Sequence, residues 1–112
     1  MKEVTLESLE NELTTIGTNC LGLVILWSIH CPICKSFLEV LKNIELKHSK
    51  FKFFTVEADD VPLFAPPMIP SVSVFYNRCR YFEAVGFADE ETLGEALNGW
   101  ESEWENNIKK GR

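Results

Sequence analysis

The sequence predicts an α/β domain: a mixed central β-sheet, mostly buried, flanked by helices on both faces. Three observations lead to this class. The run Leu21–Trp27 is continuously apolar and of strand length, as a strand covered on both sides must be. Helix-like and strand-like segments alternate through residue 57. Two further strand-like segments then meet at a two-residue turn, which adds an antiparallel hairpin to the sheet.

Element by element, Thr5 caps a helix over residues 5–16, in which Leu6, Leu9, Leu13 and Ile16 recur at three- and four-residue steps with glutamates between them. Gly17-Thr18-Asn19 ends it. After the strand Leu21–Trp27 comes a helix entered through Cys31-Pro32, with Phe37, Leu38, Leu41 and Ile44 on one side and an end near Lys47. Phe51–Glu57 has strand composition. An irregular stretch opened by Ala58-Asp59-Asp60-Val61-Pro62 leads to Pro66-Pro67-Met68-Ile69-Pro70. Ser71–Tyr76 and residues 80–85 are strands around the turn Asn77-Arg78. Asp89 caps the last helix, with Glu90 and Glu91 in its first turn and an apolar stripe of Leu93, Ala96, Leu97, Trp100 and Trp104.

Length and charge narrow the function classes. The 112 residues allow one domain, 1–112, of ordinary globular composition: 46% hydrophobic, 12% aromatic and 25% charged. Eleven bases against seventeen acids leave a net charge of −6, which argues against binding nucleic acid or an anionic membrane surface. Four cysteines are too few for a disulfide framework. The acid-rich start is unlike a secretory leader, and the longest apolar run is too short to span a bilayer. The expected setting is the cytoplasm, with reduced thiols and a monomeric protein.

The chemistry concentrates in Trp27-Ser28-Ile29-His30-Cys31-Pro32-Ile33-Cys34-Lys35. Proline favours the first helical position, so Cys31 becomes the N-cap and Cys34 the third helical residue. The two sulfurs then come close enough to bond. Cys31 sits where free backbone N–H groups and the helix dipole stabilise an anion, which lowers a thiol pKa. Cys34, further in, is expected to be more buried. The asymmetry makes Cys31 the attacking thiol and Cys34 the one that resolves a mixed disulfide. A zinc site would need two more soft ligands from Cys20, Cys79, His30 and His48, none of which forms a second close pair. An inert pair is the other alternative. A CxxC that follows a strand and opens a helix reads as a redox motif.

Beyond the CxxC, nearly the whole chain resembles the thioredoxin superfamily. Trp27 lies four residues before Cys31 at the end of an apolar strand, as in that family. Ile69-Pro70-Ser71 before a strand looks like its cis-proline segment, Asn77-Arg78 like its hairpin turn, and Gly86 like its substrate-groove glycine. The resemblance implies dithiol–disulfide exchange without a cofactor and a cis Ile69–Pro70 bond. Pro32, Ile33, His30 and Pro70 would support the cysteines, and Trp27, Met68, Ile69 and Gly86 would line the substrate groove. Protein disulfides would be the substrates, with a flavoprotein like thioredoxin reductase, or glutathione, as electron donor.

The departures are informative. Pro-Ile separates the cysteines where thioredoxins usually carry Gly-Pro, and His30 stands where a tryptophan is usual. The family's buried aspartate falls at Ile25 and its lysine partner near Thr55, which leaves water or Glu57 to take the Cys34 proton. His30, if charged, would favour a Cys31 thiolate; if neutral, it is a flat contact surface. The Cys-Pro-x-Cys pattern also suits a glutaredoxin-like, glutathione-dependent enzyme, although Ile33 replaces the usual aromatic and Lys35 is the one nearby cation. A non-catalytic binding module, a metal or cluster scaffold shared by two chains through Cys31, and an oxidase in an oxidising compartment are the remaining rivals.

Other residues read more plainly. Cys20 is expected to be partly buried and Cys79 exposed, where glutathionylation or dimer formation is open to it. His48 is expected to be solvated at a helix end. Trp100 and Trp104 are expected to pack. The eight carboxylates from Glu83 to Glu105 are expected to form a solvated face, with an acidic docking surface as the sharper alternative.

Overall fold

Alternation of apolar and polar residues places one side of each outer element on the sheet, and the continuously apolar strand takes the middle. The computed structural model describes residues 1–58 and 69–109. In chain order these form β1 (Lys2–Glu3), α1 (Leu6–Thr15), β2 (Leu21–Trp27), α2 (Pro32–Glu45), β3 (Phe51–Glu57), β4 (Ser71–Tyr76), β5 (Cys79–Val85) and α3 (Glu90–Glu103), followed by a π-helical turn, Trp104–Ile108.

The five strands lie in the order β1-β3-β2-β4-β5. β1, β3 and β2 run parallel, while β4 is antiparallel to both β2 and β5. The sheet is therefore mixed, with helices on both faces. On one face Leu21, Leu23 and Ile25 of β2 and Phe51 and Phe53 of β3 meet Phe37, Leu41 and Ile44 of α2 and Leu93 and Leu97 of α3. On the other, Leu9 and Leu13 of α1 cover Val24, Phe54 and Val56. No described helix is long and apolar enough to cross a membrane.

Caps and turns follow side-chain chemistry. The Thr5 hydroxyl accepts from the Ser8 N–H at 3.1 Å, and the Ser8 hydroxyl accepts from the Thr5 N–H at 3.2 Å, closing a reciprocal cap. At the β4–β5 turn both Asn77 and Arg78 have positive φ, +53° and +67°, the twist that suits a two-residue hairpin.

Three features differ from the sequence reading. β1 was not expected, since two exposed residues carry no periodicity; it forms because the edge of β3 is open to it. The π-helical turn was read as a continuation of the last helix; its backbone bond runs from the Lys109 N–H to the Trp104 carbonyl at 2.7 Å, and Trp104 is fully buried against Tyr76, with ring centroids 5.5 Å apart. His48, expected in solvent, is only 8% exposed. The short α2–β3 connection turns its ring back onto Phe51, at 6.4 Å between centroids, and towards Gly94 of α3.

Candidate active site

A strand that ends in Trp27 and a helix that begins at Pro32 leave four residues to make a turn, and their backbone groups pair locally. The Cys31 N–H donates to the Ser28 carbonyl and the His30 N–H to the Ser28 hydroxyl, both at 3.1 Å. Ser28 is itself buried. It is a site-shaping residue that sequence reasoning passed over, although a serine three before a helix cap is a recognisable turn former.

Cys31 is the N-cap of α2 in extended conformation, and its sulfur accepts the Cys34 N–H at 3.2 Å. Pro32 occupies the first helical position, where its missing N–H costs nothing. Cys31 and Cys34 are joined by a disulfide, with Cα atoms 5.3 Å apart. Cys34 is fully buried and heads the inward stripe Phe37, Leu41 and Ile44, whereas Cys31 is partly exposed. His30 and Ile33 are exposed on either side of Cys31.

Strand register gathers the remaining candidates at the same end of the sheet. Leu26 of β2 is opposite Ser71 of β4, so the preceding Pro70 lies level with Trp27. Ser71 is in turn opposite Val85, and the Gly86 N–H donates to the Pro70 carbonyl at 2.8 Å. The Ile69–Pro70 peptide is cis and Pro70 is buried, while Gly86 has φ +99°, a conformation glycine adopts without strain. Met68 lies outside the described residues.

Four large apolar side chains surround this end in an exposed state: Ile29 (52%), Ile33 (48%), Val85 (47%) and Phe87 (44%). Phe87 stands edge-on to Phe37 at 6.0 Å. Of these, sequence reasoning singled out Ile33 alone. The signal for the others was their adjacency to His30 and to Gly86.

Ile25 and Thr55 are register partners and both are buried, so neither of these two positions carries a carboxylate or an ammonium. One step towards the strand ends, Trp27 is level with Glu57. The Trp27 indole N–H and one Glu57 carboxylate oxygen are both buried and lack a hydrogen-bond partner.

The other two cysteines are remote from this chemistry in sequence or register. Cys20 is partly buried; Cys79 is exposed at the opposite end of the hairpin from Ser71 and Val85, beside a groove of about 480 Å³ under α1. Among the described residues no three His, Cys, Asp or Glu side chains converge as a metal site.

No protein-family model matches the chain, and no curated protein matches it by sequence. Solved structures do. The germline-specific thioredoxin Deadhead of Drosophila melanogaster superposes with a TM-score of 0.73 at 15% identity, over 88% of this chain and 97% of that one. The mixed five-stranded sheet, the helices on both its faces and this structural match agree: the chain has the thioredoxin fold.

Proposed function

We propose that the protein is a thiol–disulfide oxidoreductase that reduces protein disulfides through a Cys31/Cys34 dithiol–disulfide cycle. One observation carries this reading: the two sulfurs are bonded at a helix N-terminus, one partly exposed and accepting a backbone N–H, the other fully buried. The N-terminal N–H groups favour a Cys31 thiolate. That thiolate attacks a substrate disulfide, forming a Cys31–substrate bond and releasing the first substrate thiol. Cys34, deprotonated, then attacks the Cys31 sulfur; the mixed disulfide breaks and the second substrate thiol leaves. Two electrons pass to the substrate, and a flavoprotein of the thioredoxin-reductase kind, or glutathione, restores the dithiol.

The apolar rim of Ile29, Ile33, Val85 and Phe87 supports a polypeptide substrate over glutathione, whose carboxylates ask for cations. Trp27, Ile69 and Gly86 line the groove in this reading, and the exposed His30 meets substrate beside Cys31.

The test is turnover of insulin disulfides with dithiothreitol as donor. Wild type accelerates the reaction, Cys31→Ser abolishes the acceleration, and Cys34→Ser accumulates a covalent protein–substrate adduct visible by mass spectrometry. Acceleration that survives loss of both cysteines, or none in the wild type, rejects the reading. Faster turnover of a glutathione mixed disulfide than of insulin would favour the glutathione-dependent alternative.

A further inference from the structure

We propose that Glu57 is the proton acceptor for Cys34 when the buried thiol resolves the mixed disulfide, a role that rests on the oxidoreductase reading. Chemistry creates the need. Cys34 is fully buried, burial holds a thiol in its neutral form, and only the thiolate attacks. A buried thiol therefore needs an acceptor within reach or at one water's remove.

The fold offers one. α2 packs on β2 and β3 through Phe37, Leu41 and Ile44, and its buried stripe begins at Cys34, in the first turn after the four-residue connection from the end of β2. Side chains alternate along a strand, so Trp27 and Glu57 point to the same face as Ile25 and Phe53, the face that α2 covers. Glu57 is the titratable side chain of β3 on that face, and β2 brings none. From the other elements at this end, α2 contributes the exposed Lys35, the turn before it the exposed His30, and β1 the exposed Glu3, level with Thr55.

A buried carboxylate oxygen without a partner is costly and uncommon. Here it is paired in register with a buried indole N–H that also lacks a partner. A donor and an acceptor at the same register level, each without a partner, are the two contacts that one relaying water would take. In the step itself the Cys34 S–H proton passes through this relay to the Glu57 carboxylate. The Cys34 sulfur bonds to the Cys31 sulfur, the Cys31–substrate bond breaks, and the substrate thiolate leaves. The protonated Glu57 then returns its proton to solvent or to the departing thiolate. The substrate disulfide is the oxidant, so electrons and protons balance.

The experiment uses the full chain with Cys20→Ser and Cys79→Ser, reduced and mixed with an aromatic disulfide reagent that releases coloured thionitrobenzoate. Attack by Cys31 releases the first thiolate in a phase that depends on reagent concentration; resolution by Cys34 releases the second in a phase that does not. At about pH 6.5, Glu57→Gln is expected to slow the second phase at least tenfold and leave the first unchanged, since positioned proton transfer is worth roughly that or more. The gap between the two proteins should narrow as pH rises towards about 9, where hydroxide begins to take the proton of the buried thiol without the carboxylate. Glu57→Asp should recover part of the rate. Equal second phases across this range, or equal slowing of both phases, overturn the role of Glu57 alone. A wild type with no second phase overturns the oxidoreductase reading as well, so the two failures are distinguishable.

Discussion

Reducing the Cys31–Cys34 bond should lower the thermal stability of the protein, by an amount that follows from the size of the ring it closes. The cysteines are three apart in sequence, so four residues lie in the closed loop. Loop-closure entropy for four residues is about 6 cal/mol/K, or about 1.9 kcal/mol at 25 °C in favour of the oxidised form. Reduction offsets part of this, because it frees a Cys31 thiolate at the start of α2, a helix-end interaction worth about 0.3–1 kcal/mol. The net expectation is about 0.9–1.6 kcal/mol. With an unfolding entropy of about 2.1 cal/mol/K per residue over 112 residues, that is a fall in Tm of about 4–7 °C. It also places the disulfide about 20–35 mV below an unconstrained CxxC, the direction a reductase needs. Calorimetric melts of the Cys20→Ser, Cys79→Ser protein, oxidised and after reduction by a phosphine, measure the difference directly. A reduced form as stable as the oxidised one, or more so, would mean that thiolate stabilisation outweighs loop closure, as in an oxidant.

Three further outcomes are expected. Asp89 accepts the Thr92 N–H at 2.8 Å, and that backbone bond, with the Thr92 side chain, holds its carboxyl below the usual aspartate value of 3.8. A lowered folded pKa means stability that is present above the unfolded pKa and lost as pH falls through the folded one; urea titrations should therefore show Asp89→Asn less stable than wild type near neutrality, with the gap closing in acid, and a gap independent of pH would discount the charge. Leu97 is fully buried between α3 and the sheet, so Leu97→Ala should cost about 2–5 kcal/mol in chemical denaturation, whereas a loss under about 1 kcal/mol would mean that the site collapses around the missing atoms. Arg78 holds φ +67° at an exposed turn, with an ion pair to Glu10 at 3.2 Å. Arg78→Gly should raise stability by about 0.5–1 kcal/mol, since relief of left-handed strain exceeds a surface pair worth about 0–1 kcal/mol; a loss of stability would reverse that ranking.

Much of the site was legible because its signals are local. A proline after a cysteine defines a helix start, and the helix start defines which sulfur is exposed; Cys31 and Cys34 fell where that logic puts them. The turn Asn77-Arg78 was legible for the same reason. His48 was not: at a helix end it reads as solvated, and its burial depends on Phe51 and Gly94, partners that no local pattern names. Ile29, Val85 and Phe87 were missed because exposed apolar residues carry no periodicity, and their common place around the disulfide comes from strand register.

The order of the elements after β1, the burial of β2 and the unequal exposure of the two cysteines were set by the sequence alone, since hydrophobic period, helix capping and proline geometry act over a few residues. Tertiary structure decided what lies beside them. Only the pairing of β2 with β4, and of β4 with β5, brings Pro70 and Gly86 level with Trp27. Only the parallel pairing of β2 with β3 sets Glu57, with its unpartnered carboxylate oxygen, level with the unpartnered indole of Trp27 on the face that α2 covers, because register between strands thirty residues apart in sequence is settled by packing of the whole sheet and not by any one segment.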